Sequence, residues 1–382
     1  TGTLNLNALT LTLTAGLGAP LAGAGTLSGA GSTVNYSTGA GSPTTITIAN
    51  FNYPGNVIVN QAGRTFVNAL AAGVIGNFTV QTGNYENRAL LTISGALTVN
   101  AAQTFFVQTG QTLTAGSIVG GGTLTPASNT TVRISSGPAD PFTVTTVSSL
   151  TTALPYPIIE YLGPTTTPIR TLTYGTLRLS GSVANYAAGG VITIAGDLIF
   201  QNTAGLTGTP DLTFVNGGAN TDSTIQTSGG SVGIGILTVN KLTTGTGTGE
   251  RLTISDPTPS SGVRRIDELR LSSGTLDVAA DLRVVFGFVG NGALAGDQGQ
   301  FRVASQGIQV TFGDNTPRVI QIHDNMQLGF GQNNVRVVFA TGGPTIGATL
   351  ALTQPGSLLN FSGALTSKLV ITATGGGTGF ID

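Results

Sequence analysis

The residues best equipped for chemistry crowd into one stretch: Glu250, Arg251, Asp256, Arg264, Arg265, Asp267, Glu268 and Arg270. A pair of carboxylates there could serve as general acid and base on a glycosidic bond, one group holding a proton while the other does not. Acidic and basic residues alternate along the run, however. On an exposed strand such charges chiefly neutralise one another as solvated ion pairs. The single histidine lies in Ile320-Gln-Ile-His-Asp-Asn-Met326, with Ile320 and Ile322 on one side of a strand and His323 on the other. It has no second histidine with which to share a metal or relay a proton. The two lysines, Lys241 and Lys368, sit in strand-like sequence away from any glycine-rich phosphate loop. With no cysteine there is no disulfide and no thiolate metal site. The reading is a chain without a catalytic centre, a metal or a cofactor.

The elements around these residues follow from composition and period. Charged residues are 8% of the 382, against about 25% in an ordinary soluble protein. Glycine contributes 58 residues, and threonine and serine fill most polar positions. A net charge of −1 lacks the basic footprint that nucleic acid or an anionic membrane surface requires. No run of 18 apolar residues offers a membrane span. Hydrophobic residues nevertheless make up 40% and alternate regularly, which a disordered chain does not do. The first residue is Thr1, with neither Met nor a signal peptide, which fits a processed secreted protein or a fragment.

The period is two. In Leu91-Thr-Ile-Ser-Gly-Ala-Leu-Thr-Val99 the row Leu91, Ile93, Gly95, Leu97, Val99 faces one way and Thr92, Ser94, Ala96, Thr98 the other. Gly95 stands in the inward row, where a side chain would obstruct a sharp bend, so the stretch reads as two strands meeting at a corner. The same form recurs at Ile192-Thr-Ile-Ala-Gly-Asp-Leu-Ile-Phe200, and in part at Leu177–Val183 and Leu359–Leu365. Versions starting at residues 4, 91, 177, 269 and 359 suggest super-repeats of about 90 residues. The copies are 4–90, 91–176, 177–268 and 269–358, with a partial copy at 359–382, in a single elongated array covering 1–382.

Strands of three to six residues, punctuated by Gly, Asn or Ser-Gly, carry almost no helix signal. The fold class is all-β. A parallel β-solenoid with coils of about 20 to 25 residues would bury Leu, Ile, Val and Phe in a column and turn Thr, Ser and Asn outward. A tandem array of β-sandwich modules would show similar alternation. The stretches Thr176-Leu-Arg-Leu-Ser-Gly181, Leu91–Val99 and Gly122-Thr-Leu-Thr125 resemble bacterial β-solenoid surface and secreted repeat proteins of the autotransporter-passenger and filamentous-haemagglutinin type. That resemblance implies extracellular or cell-surface placement and a structural or adhesive role, and it brings no catalytic residues with it.

Between Pro138 and Pro168 lie six of the 16 prolines, which reads as an insertion that leaves the ladder as a loop or edge. The chain enters at once into Leu4, Leu6, Leu9, Leu11 and Leu13, and near its other end carries Leu369, Val370 and Ile371, then Phe380 and Ile381. These ten residues are candidates for a subunit junction, because an uncapped solenoid end offers unpaired strand edges and a bare core. The leading expectation is a non-enzymatic structural protein whose partner is itself, assembling head to tail into an extracellular filament, sheath or surface layer. An adhesin for surface glycans is the alternative, and a polysaccharide-cleaving β-helix the third. Neither nucleic acid nor membrane insertion figures among the expected partners.

Overall fold

In the computed structural model the alternating sequence closes into stacked coils: the fold is a parallel β-solenoid. The structure describes residues 2–14, 18–23, 25–37, 43–135, 141–163, 168–181, 185–188, 190–202, 204–218, 221–227, 233–241, 251–255, 264–279 and 282–288, then the strands 299–303, 309–312, 318–322, 327–329, 336–342, 348–352, 358–360 and 368–374. No described residue is helical, and every described strand pairing is parallel. Parallel pairing excludes the sandwich array, whose hairpins would pair antiparallel. The chain divides into two compact units, Thr1–Arg170 and Thr171–Asp382.

In the first unit each coil carries three short strands, and like strands of successive coils pair in register. On one face Leu11, Val34, Val57, Phe78, Leu97 and Ile118 stand in a single inward column. Their sequence steps of 23, 23, 21, 19 and 21 residues measure the coil. A second face contributes Ile46, Phe66, Tyr85, Phe105 and Leu124. A third contributes Tyr53, Val74, Ile93, Ala115, Ile134 and Tyr161. Apart from Leu11 these side chains are buried, as the period-two pattern requires. Aromatic rings pack along the column: Tyr85 lies 4.8 Å from Phe78, edge to face, and 4.9 Å from Phe105, stacked.

The proline-rich segment joins this stack as far as it is described. Phe142, Val144, Leu150 and Tyr156 are buried, Thr145 and Thr146 donate to the carbonyls of Gly120 and Gly122, and Ile158–Tyr161 pairs with Thr131–Ile134. Among its described residues Thr143, Thr145, Thr146 and the turn Thr152–Pro155 are exposed. The expected loop is therefore one more coil with a long corner.

The second unit repeats the plan. Tyr174, Ile194, Phe214, Val239 and Leu271 form one inward column, and Leu177, Leu198, Ile225, Ile254 and Val278 another. Beside the first, facing outward, run Thr173, Thr193, Thr213 and Thr238, followed by Arg270. Further on, Leu282, Val310, Val337 and Leu369 continue in register along four strands.

Candidate functional site

Corners decide how coils can stack, and glycine is what lets them close. Gly55, Gly76 and Gly95 lie one above another: Gly76 N–H donates to Gly55 O at 2.9 Å and Gly95 N–H to Gly76 O at 3.0 Å. A Cβ on Gly95 would come within 2.4 Å of Asn77 Oδ1 and 2.7 Å of Gly76 O, and one on Gly55 within 2.0 Å of Ser32 O. Close backbone approach excludes a side chain here, which is why glycine breaks the apolar row of LTISGALTV. The next residue adds a second contact. Asn56 Oδ1 accepts from Asn77 N–H at 2.9 Å, and Asn77 Oδ1 from Ala96 N–H at 2.8 Å.

The first coil is less covered than those that follow it. Among the described residues, Thr3–Asn5 pairs only with Thr26–Ser28, and Thr10–Leu13 only with Thr33–Tyr36. Leu4 and Leu9 are 47% and 68% exposed, and Leu11 and Leu13 are half-buried, whereas Val34 and Tyr36 one coil on are fully buried. Leu6 differs from its neighbours. It turns inward and is buried, its N–H donating to Ser28 O and its carbonyl accepting from Leu9 N–H. The carbonyls of Leu9 and Leu13 accept from Thr33 and Ser37, so the backbone groups of Thr10 and Thr12 point away from that coil. Of the other candidates, Leu369, Val370 and Ile371 lie on Lys368–Thr374, opposite Val337, Val338 and Phe339. Phe380 and Ile381 lie outside the described residues.

The charged run is held in local pairs. On the strand Arg264–Val278, Arg265 Nε meets Asp267 Oδ1 at 2.5 Å and Arg270 Nε meets Glu268 Oε1 at 2.7 Å, with both arginines 45% exposed. Each carboxylate is thus engaged by a guanidinium two residues away, an arrangement worth little to stability in water. Glu250, Asp256 and His323 lie outside the described residues. Among the described residues no group of three or more His, Cys, Asp or Glu could hold a metal ion, and no helix is long and apolar enough to cross a membrane.

One residue of chemical interest was not singled out by sequence reading. Lys241 is fully buried, and its ammonium donates to Ala195 O at 3.1 Å, Thr221 O at 3.1 Å and Ser223 Oγ at 2.5 Å. Burial lowers its pKa to about 8, with the charges of Asp222 and Asp197 opposing the shift. The signal was present: Leu237, Val239 and Lys241 follow the same period of two, which puts the lysine in the inward row. In the first unit burial likewise pushes the phenol of Tyr36 up to about 12, and Tyr53 and Tyr85 rise for the same reason. Tyr36 and Tyr53 share a hydroxyl–hydroxyl bond of 2.7 Å, and Tyr53 donates to Ala49 O at 2.8 Å. The Tyr85 hydroxyl has no hydrogen-bond partner among the described residues.

Comparison with protein-family models, with curated proteins and with solved structures produces no match to this chain.

Proposed function

We propose that the protein is a non-enzymatic structural element that assembles head to tail, coil edge onto coil edge, into an extracellular filament, sheath or surface layer. The observation that supports this reading is the continuous stack: like strands of successive coils pair parallel and in register over an unbroken apolar column, so one copy could add to another by the same contact its own coils make. A second copy adding a strand at an edge of the stack would extend the ladder and the apolar column in one step. The small, largely uncharged outer faces support the same role, since they leave the edges as the stickiest surfaces.

Negative-stain electron microscopy over a concentration series tests it. Uniform fibres or sheets that lengthen with concentration are expected. Thr12→Pro removes an outward N–H without touching the bonds to Thr33–Tyr36, and with Leu9→Lys it is expected to abolish them. Single particles at every concentration, or fibres indifferent to both substitutions, would refute the proposal. The adhesive reading is favoured by the in-register row Thr173, Thr193, Thr213 and Thr238, a ladder of hydroxyls at the coil spacing of about 4.8 Å. Glycan binding that falls on Thr193→Val with Thr213→Val would move the function there.

A further inference from the structure

On the second face of the first unit the outward residues run in rows along the stack. One row holds Thr45, Thr65 and Asn84, whose Oδ1 accepts from Thr104 N–H, and continues through Thr104, Thr123 and Thr146. Beside it run Thr47, Val67, Glu86, Phe106 and Thr125. Small polar groups fill most of these positions, and Phe106 interrupts them. Its side chain is 38% exposed, whereas every other aromatic residue of the first unit is buried. Phe105, its neighbour in sequence, already fills the inward place, so the core makes no demand for a second phenylalanine here.

A single apolar side chain on a surface is ordinary. What stands beside this one is not. Glu86 lies opposite Phe106 on the preceding coil, at the strand spacing of about 4.8 Å. Its Oε2 accepts from Arg88 Nε at 2.9 Å and Nη2 at 2.5 Å, and its Oε1 accepts from Gln108 Nε2. Three planar polar groups are thereby locked together next to the ring. The bonds leave Arg88 Nη1 and Gln108 Oε1 for a further partner, and both of those side chains are exposed. On the following coil Thr125 stands opposite Phe106 and shares a 2.9 Å hydroxyl bond with Ser148.

We propose that Phe106, Glu86, Arg88 and Gln108 form a binding platform for a neutral glycan chain. A sugar ring has an apolar face of C–H groups and a rim of hydroxyls. Phe106 suits the face, and the carboxylate, guanidinium and amide beside it suit the rim. Because these polar groups are held by their own hydrogen bonds before any ligand arrives, little order is lost on binding. Charge selects the class of ligand. Arg88 neutralises Glu86, so the platform gives a polyanion no unengaged cation. Single-stranded nucleic acid also stacks on aromatic rings, but its backbone needs a positively charged groove. The platform uses the side of the stack and not the strand edges, so it does not depend on head-to-tail assembly.

Isothermal titration calorimetry of the full chain with cellohexaose, chitohexaose and laminarihexaose, and with hexagalacturonate as the anionic counterpart, tests this. At least one neutral sugar is expected to bind, with an affinity that added salt leaves unchanged. Phe106→Ala, which removes an exposed ring and spares the core, is expected to weaken that binding by about fivefold or more, and Phe106→Tyr to preserve it. No binding of any neutral sugar, tighter binding of hexagalacturonate, or a loss on Phe106→Ala of less than about fivefold would overturn the proposal, whether or not the chain forms fibres.

Discussion

The corner at Gly55, Gly76 and Gly95 and the corner at Ala195, Ser223 and Lys241 solve one problem by different means. In the first, successive turns are short enough for backbone to meet backbone, and Asn56 and Asn77 add a neutral carboxamide to each step. In the second, charged side chains make the contacts: the ammonium of Lys241 and the carboxylates of Asp197 and Asp222, which accept from Thr224 and Arg251 N–H at 2.8 and 3.2 Å. The first corner is constrained by shape and indifferent to protons. The second holds a buried amine whose pKa burial lowers.

The sharpest way to break the first corner is to fill it. Gly55→Ala sets a methyl against the backbone of Ser32, which cannot step aside as a flexible side chain can, and is expected to cost about 3 kcal/mol or more in urea unfolding. Gly190→Ala, in the second unit, meets only Thr171 Oγ1 at 3.3 Å and is expected to cost under about 1 kcal/mol. Alkaline titration separates the two units next. Tyr36 keeps its proton in the fold up to about pH 12 against about 10 unfolded, so its contribution is complete below pH 10 and disappears as pH climbs toward 12. That amounts to about 2 to 3 kcal/mol, and tyrosinate absorbance should appear together with loss of the first unit's structure. Lys241 has its pKa lowered by burial to about 8 against 10.5 unfolded, so the unfolded chain holds the extra proton between those values. The second unit is therefore expected to strengthen as pH rises from 8, mostly before the loss in the first unit sets in above pH 10.

Smaller effects sharpen the contrast. Asn77→Ala leaves Ala96 N–H without its acceptor, for an expected loss of about 1 kcal/mol by thermal unfolding. Asp222→Asn keeps an acceptor for Arg251 but removes a charge that holds the Lys241 proton, so the alkaline rise in stability is expected to begin at lower pH. Tyr85→Phe deletes a buried hydroxyl with no described partner and is expected to change stability by less than about 0.5 kcal/mol, or to raise it.

Much of this was legible in residue order. The alternation of Leu91, Ile93, Leu97 and Val99 identifies the inward row, Gly95 the corner, and the expected coil of about 20 to 25 residues brackets most of the observed steps. Alternation reports only which side of a strand faces the core. It carries nothing about how many strands close a coil or which strand lies above which, because those depend on turn length and on contacts some 20 residues distant. The expected proline loop failed for that reason: Phe142, Val144 and Tyr156 pack inward although prolines bracket them. Lys241 was missed because a lysine in a strand is ordinarily outward, and its partners Ala195, Thr221 and Ser223 come from two earlier coils.

The backbone N–H bonds to Asn and Asp side-chain oxygens between coils run one way along the chain. Asn56, Asn68, Asn77 and Asn84 accept from residues 77, 88, 96 and 104, and Asp197, Asp211 and Asp222 from 224, 236 and 251. In these seven the acceptor belongs to the earlier coil and the donor to the later, while the Nδ2 groups of Asn68 and Asn87 donate forward to Ala89 O and Thr112 O. A chain that emerges N-terminus first therefore finds these seven side-chain acceptors already in place when each new turn arrives. Growth of the fold and delivery of the chain share a direction, so each added turn closes over a short stretch of sequence and the whole can be wound up as fast as it arrives.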